Sequence, residues 1–335
     1  MKDSSTNSLT YVSNWLKHFN NNVPGHTFNF IENLSFIKAN SIPIYINVGK
    51  NLSLGISYSK PTNNDVKSIT GYKNKVFLVY HVPTYFNIDE INIPRLGLKK
   101  IYDSTGYLIN FKSFENLEDY LSKTLSASRV KKVKRNQRLL ETRFDIFYRW
   151  FFGDNFTQDE YDFIFNSFGE LLKKRYEGKN QYNRHLNDNI WEFYRDLFFP
   201  LIKEKKASFY VIYDGEKPLA ICFNYHTPTS IKGAISVFDI TYAKYEIGSL
   251  YLTKQFEWCF ENNIEIFDLG LGNYGYKNRW ANESYDIHHH IFYDKKSLIA
   301  NPIAMAMGKY FELKLKLKKK GLKNIFVKNQ NVQIN

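Results

Sequence analysis

Hydrophobic residues at alternate positions mark the first readable element. Ile42, Ile44, Ile46 and Val48 alternate with other residues, and past Gly49-Lys50-Asn51 the set Leu52, Leu54, Ile56 and Tyr58 alternates again. A period of two on both sides of a glycine-bearing turn predicts a β-hairpin. A further strand is expected at 76–82, ending at Pro83, with loop over 60–75 and around Pro94 and Gly97. From 115 to 141 the pattern turns helical. It does so again over 158–176 and 189–205, where Trp191, Tyr194, Leu197, Phe198 and Leu201 recur three and four residues apart. A second hairpin follows: Phe209, Val211 and Tyr213 alternate, Asp214-Gly215 supplies the turn, and Leu219, Ile221, Phe223 and Tyr225 alternate again. Two halves that each hold such a hairpin point to an internal duplication.

The stretch 233–242 reads as a strand with a slip in phase. Ile235 and Val237 keep one alternation, while Phe238, Ile240 and Tyr242 keep the other. Either a β-bulge near Val237-Phe238 or a strand buried on both faces produces that pattern. Tyr245-Glu246-Ile247-Gly248-Ser249-Leu250 then leads into a helix with Leu252, Phe256, Cys259 and Phe260 on its apolar face, and Ser249 is expected as its N-cap. A strand, a glycine turn and an exposed helix N-terminus make an anion site. Unpaired N–H groups and the helix dipole favour a phosphate there, by ~0.3–2 kcal/mol for the dipole. The next strand, 264–269, runs into Gly270-Leu271-Gly272-Asn273-Tyr274-Gly275-Tyr276-Lys277-Asn278-Arg279-Trp280. Asp268 at the strand end, the glycines and the cluster Tyr276, Lys277, Arg279 and Trp280 gather charge and aromatic surface in one loop. Loops at such strand ends are where ligands bind.

At 335 residues the chain exceeds the usual size of one core, so two domains with a helical connection are expected. A hydrophobic share of 43% excludes a disordered chain. The 28 Phe and 25 Tyr are assigned mainly to cores, with a minority free to grip apolar or ring-bearing ligands. A formal charge of +13 calls for an anionic partner: nucleic acid, a phosphate-rich cofactor, acyl carrier protein or a membrane surface. The helix at 126–141 concentrates that charge in Arg129, Lys131, Lys132, Lys134, Arg135 and Arg138. It is read as a solvated connection or as a basic wall beside a phosphate-bearing substrate. Cys222 and Cys259 lie in apolar patterns and are expected reduced and buried. With no secretory pattern at Met1-Lys2-Asp3-Ser4-Ser5 and no apolar run of ~18 residues, a soluble, cytoplasmic protein is expected.

The run Phe267-Asp268-Leu269-Gly270, followed by Tyr276-Lys277 and Trp280, resembles the end of the BioF2-like acetyltransferase domain, a GNAT branch related to CelD-type and FemAB-type proteins. The basic helix at 126–141 and Gly248 agree with it, and the resemblance spans about 120–285. It implies an α+β fold with a mixed sheet and GNAT-like domains in tandem: a degenerate one at 1–120, a basic helical connection at 121–184, an acyltransferase domain at 185–300, and a basic helix and tail at 301–335. It further implies transfer of an acyl group from a CoA or carrier-protein thioester to an amine, such as an amino acid, an amino sugar or an amino-lipid precursor.

The donor is then expected beside Phe238, its pyrophosphate on Gly248, Ser249 and Leu250. Asp239 is the candidate base and Tyr276 the candidate acid. Asp268, Gly270, Lys277, Arg279, Trp280, Arg129 and Lys132 are expected around the substrate. The phosphate loop departs from the ordinary acetyltransferase pattern, since Tyr245 and Leu250 take its outer positions and only Gly248 remains. That departure leaves room for a longer acyl chain, a carrier-protein donor, aminoacyl-tRNA as in FemAB relatives, or a binding module without catalysis.

His288, His289 and His290 are assigned to strand surface with no metal. Adjacent strand residues face opposite ways, and no third Cys, Asp or His stands at a matching interval. The Lys-rich helix at 305–323 is read as packed with a solvated tail, or as a contact with anionic lipid.

Overall fold

A computed structural model describes residues 5–39, 42–50, 52, 55–62, 68–177, 183–272 and 275–320. Its chain divides into two compact units, one of residues 1–105 with 285–335 and one of 106–284. This division differs from the boundaries expected at 120, 184 and 300. The helices after 115 group with the strands that follow them, and the chain beyond 285 rejoins its N-terminal part.

The first unit opens with α1 (Leu9–Phe19), whose N-cap Ser8 accepts a hydrogen bond from Tyr11 N–H and which buries Tyr11, Trp15 and Leu16. Strands β1 (His26–Phe28), β2 (Ile31–Lys38), β3 (Ile44–Asn47), β4 (Val76–Pro83) and β5 (Leu96–Asn110) follow. The hairpin expected over 42–58 is not formed. Its first arm, β3, pairs antiparallel with β2 and parallel with β4. Leu54 lies outside the described residues. Ile56 and Tyr58 are buried, but Gly55 and Ile56 donate their N–H groups to the His81 carbonyl, and only Ser59 bridges the sheet, at Glu32. The described residues 55–58 are all buried rather than alternating, and no hydrogen-bonded ladder accompanies them. Gly97, expected in a loop, belongs to β5 because the Tyr293 ring covers it, and an added Cβ would lie 2.5 Å from that ring.

The second unit begins as β5 ends. Helix α2 (Leu117–Thr124) breaks at Leu125-Ser126 before α3 (Ala127–Arg143), and β6 (Ile146–Phe151) follows. Helix α4 (Gln158–Tyr176) starts on a reciprocal cap between Thr157 and Glu160, and α5 (Asp188–Lys203) packs on β7 (Ala207–Asp214). β8 (Lys217–His226) completes the expected hairpin with β7. Then come β9 (Ser230–Phe238), a 3₁₀ turn (Ile240–Tyr245), α6 (Ile247–Glu261), β10 (Ile266–Leu271) and α7 (Lys277–Trp280). The strand order is β5-β10-β9-β8-β7-β6, antiparallel except for β9 with β10. Cys222 and Cys259 are buried free thiols in this unit's core.

The chain returns to the first unit through β11 (Glu283–Asp294), which pairs with β4, and α8 (Ala300–Lys319). Helix α8 buries Ala300, Ala304 and Phe311 beside Val76, Leu78 and Ile291 and leaves its lysines outward. Each unit is thus mixed α+β and holds a parallel strand pair, β3 with β4 and β9 with β10. Among the described residues no helix is long and apolar enough to cross a membrane.

Candidate active site

Strands β9 and β10 are in register only at Ser230↔Ile266, Ile231↔Phe267 and Lys232↔Asp268. Beyond that level each carries an extra residue against its other neighbour: Ala234 on β9, between the partners of Phe223 and Asn224, and Leu269 on β10, between those of Leu108 and Tyr107. A bulge twists and bends its strand, so a bulge on each strand at one level drives the pair apart. The bulge expected near Val237-Phe238 is therefore present but lies at Ala234. The phase change after Val237 marks the end of the strand and the start of the 3₁₀ turn.

Asp268 and Lys232 pin the fork. The fully buried Asp268 carboxylate accepts the Gly270 N–H at 2.7 Å and lies 3.6 Å from Lys232 Nζ. Gly270 sits at φ +76°, a backbone state that a side chain disfavours. Above the fork lies a small pocket, lined by Gly233 and Ser236 of β9, Leu269 of β10, Tyr251 of α6, Asn224 of β8 and Tyr276. Burial raises the Tyr251 phenol well above its usual range, so it stays a proton donor, with its hydroxyl 3.4 Å from Ser236 Oγ. Asn224 donates to Gln255 Oε1 at 2.9 Å, while its buried Oδ1 has no hydrogen-bond partner among the described residues. A buried carbonyl left so is costly unless a ligand or water donates to it.

Lys277, next to Tyr276, is buried and donates from Nζ to the Leu271 carbonyl at 2.5 Å. Burial lowers its amine to about 8, with Asp268 opposing and Lys232 adding to the shift. Arg279 is exposed on α7, whereas Trp280 is a core residue packed on Phe256.

The N-terminus of α6 is built differently. Its cap is Glu246, in the left-handed conformation, and not Ser249. The Glu246 carbonyl accepts the N–H groups of Ser249 and Leu250 at 2.7 and 3.3 Å. Its carboxylate lies 3.0 Å from Arg129 and 2.8 Å from Lys132, and Arg129 also donates to Ser249 Oγ at 2.8 Å. The basic residues expected around a substrate are thus spent on an internal carboxylate. Leu250 is core, and a Cβ on Gly248 would make ordinary contacts with the Phe238 and Tyr251 rings, at 3.6 and 3.8 Å, so no close approach within the chain demands glycine there. Phe238 carries the Arg175 guanidinium over its ring at 4.7 Å.

Asp239 is also committed elsewhere. It caps the 3₁₀ turn through Thr241 N–H at 3.0 Å and Thr241 Oγ1 at 2.7 Å, and lies 3.2 Å from Lys217 and 3.6 Å from Lys174. Burial alone would raise its carboxyl, but these hydrogen bonds and the Lys217 charge bring it to about 2. A carboxylate so stabilised is a poor proton acceptor near neutral pH.

The structure therefore brings Asp268, Gly270, Tyr276 and Lys277 together at the fork and sets Arg129, Lys132, Gly248, Ser249 and Leu250 at the helix start. Sequence reasoning missed Asn224, Tyr251 and Lys232. A lone amide inside the apolar run from Leu219 to Tyr225 was the readable sign of the first.

Residues 127–278 match the family described as acetyltransferase (GNAT) domain. Over that segment the chain is similar to a GNAT acetyltransferase domain. A conserved protein of unknown function from Bacteroides thetaiotaomicron VPI-5482 shares the fold at TM-score 0.53 and 10% identity, over 86% of this chain and 90% of that one. FemX does so at TM-score 0.53 and 10% identity, over 82% and 86%. The C-terminal DUF2156 domain of a putative lysylphosphatidylglycerol synthetase from Agrobacterium fabrum does so at TM-score 0.50 and 10% identity, over 82% and 83%. Similarity at this identity is one of fold. No curated protein matches the sequence.

Proposed function

We propose that this protein transfers an acyl group to an amine in the pocket between β9 and β10. The observation that carries the reading is the fork itself: a bulge on each of two parallel strands splays them beside a buried, protonated Tyr251 and an unsatisfied Asn224 carbonyl. An activated carbonyl lying along β9 would place its oxygen near backbone N–H groups, and one such donor is worth ~3–4 kcal/mol to a developing oxyanion. The acceptor amine attacks the carbonyl carbon, the C–N bond forms, and the ester or thioester bond breaks. The proton lost by nitrogen passes to a base near the mouth, where the Lys277 amine titrates at about 8, and the leaving atom takes its proton from Tyr276 or Tyr251.

Aminoacyl-tRNA is favoured as donor over an acyl-CoA or acyl carrier protein. The specific observation is Glu246, which holds the α6 N-terminus where a CoA pyrophosphate would dock. Lys131, Arg135 and Arg138 remain exposed on α3 and suit a longer polyanion. The name of one fold relative, a putative lysylphosphatidylglycerol synthetase, is consistent with an aminoacyl donor.

The test supplies radiolabelled aminoacyl-tRNA or acyl-CoA with a panel of amines and follows label made resistant to mild base. Transfer from aminoacyl-tRNA alone is the expected result. Transfer from acyl-CoA alone overturns the donor, and transfer from neither overturns the acyltransferase reading.

A further inference from the structure

The histidine run in β11 is expected on the strand surface, but only His288 is partly exposed, while His289 and His290 are buried. His290 is bonded through Nδ1 to the Tyr58 hydroxyl at 2.7 Å, and His288 packs near the Tyr102 ring. His289, which faces the other way, is different. Its neighbours come from the strands on either side of β11, which lies between β4 and β5 in the first unit.

His289 Nε2 lies 3.5 Å from one oxygen of Asp103 on β5, and His81 Nε2 of β4 lies 3.8 Å from the other. All three ligand-type atoms fall within 4.8 Å of one another. Three donors bound to one tetrahedral ion at ~2.1 Å stand ~3.4 Å apart, so small side-chain adjustments close the set. We infer that His81, Asp103 and His289 form a site for one divalent transition cation of the zinc class, with solvent completing its coordination.

The backbone supports a built arrangement. The pairing of β4 with β11 shifts register between His288 and His290, opposite Val82 and Val79, and His81 takes φ +55° within that shift. This bulge puts the His81 imidazole on the same face as His289 and Asp103, and strained positions of that sort persist where the surroundings demand them. Ser104 Oγ donates to Asp103 Oδ2 at 2.7 Å, the outer hydrogen bond that orients a ligating carboxylate. The rings of Tyr80 and Phe311, 4.9 and 4.6 Å from His289, wall the site on one side, while His81 and Asp103 keep 17% and 26% of their side-chain surface open for entry.

Two imidazoles and one carboxylate suit zinc, cobalt or nickel and not calcium or magnesium, which seek oxygen. The His81 N–H reaches His289 Nδ1 at 3.4 Å, a long contact that gives way when the ring proton moves to Nδ1 and frees Nε2 for the ion.

The experiment uses the untagged full chain, stripped with chelator and titrated with Co²⁺ and Zn²⁺ under visible spectroscopy and calorimetry. One equivalent should bind, with cobalt bands of a nitrogen–oxygen site. Asp103→Asn and His289→Gln should weaken binding by more than ~100-fold, while His290→Gln should not. Absence of saturable binding by the unaltered protein overturns the inference whatever the variants do. So does one-equivalent binding that persists in Asp103→Asn and His289→Gln, because the ion then sits elsewhere.

Discussion

At the fork of β9 and β10, polar groups line an opening: Asn224 with an unused carbonyl, Tyr251 held protonated, Tyr276 at the edge. At the N-terminus of α6, in the same unit, internal charge fills the place instead, with Arg129 and Lys132 paired to the Glu246 carboxylate. The contrast sets the end of the β9–β10 ladder, which the proposed function assigns to the acyl carbonyl, against the helix start that the Glu246 carboxylate occupies.

The largest effect is expected at the fork. Asp268→Ala removes the partner of buried Lys232 and the cap on Gly270, and should cost about 3–5 kcal/mol in denaturant unfolding. A loss below about 1 kcal/mol would mean that Asp268 does not pin the strands. Next, Tyr276→Phe should lower kcat/KM by ~10²–10⁴-fold with an unchanged circular dichroism spectrum, if the pocket performs the chemistry.

Asp239→Asn separates cap from base. It should lose about 1–3 kcal/mol of stability at neutral pH while kcat/KM holds; a collapse of kcat/KM would restore Asp239 as the base. Because the folded carboxyl titrates at about 2 against 3.8 unfolded, its contribution is complete above pH 3.8 and fades as the pH falls through 2.

Glu246→Gln should open the phosphate end and tighten CoA binding by ~10-fold in calorimetry, about 1.4 kcal/mol. No change would show that Glu246 does not close it. The smallest effect concerns Lys277. Its folded amine at about 8 lies below the unfolded 10.5, so its burial penalty is full below pH 8 and is relieved as the pH rises toward 10.5. Lys277→Met should therefore exceed the parent in stability at pH 7, with the gap closing by pH 10.

Much of the second unit was legible because period and turn chemistry agree there. Helix α4 appears at the expected residues, and β7 and β8 join at Asp214-Gly215. Strand β6 escaped because its outer position leaves Ile146, Tyr148, Arg149 and Trp150 half-buried, without alternation. Strand β5 escaped for a related reason: Lys99, Lys100, Asp103 and Ser104 interrupt its apolar signal, and Gly97 imitates a loop.

In the site, the loop of Gly270 to Trp280 was readable from charge and glycine. The closing of the α6 start was not, since a glutamate beside a glycine gives no hint that two basic residues from α3 will converge on it. The His81, Asp103 and His289 cluster was hidden for the same reason, its members lying on three strands far apart in sequence.

Hydrogen exchange read by mass spectrometry, with and without a non-hydrolysable aminoacyl-adenosine amide, tests the account most directly. Slowed exchange at 232–238 and 268–272, with 246–250 unchanged, is the predicted outcome. Protection confined to 246–250, or none in either stretch, would contradict it.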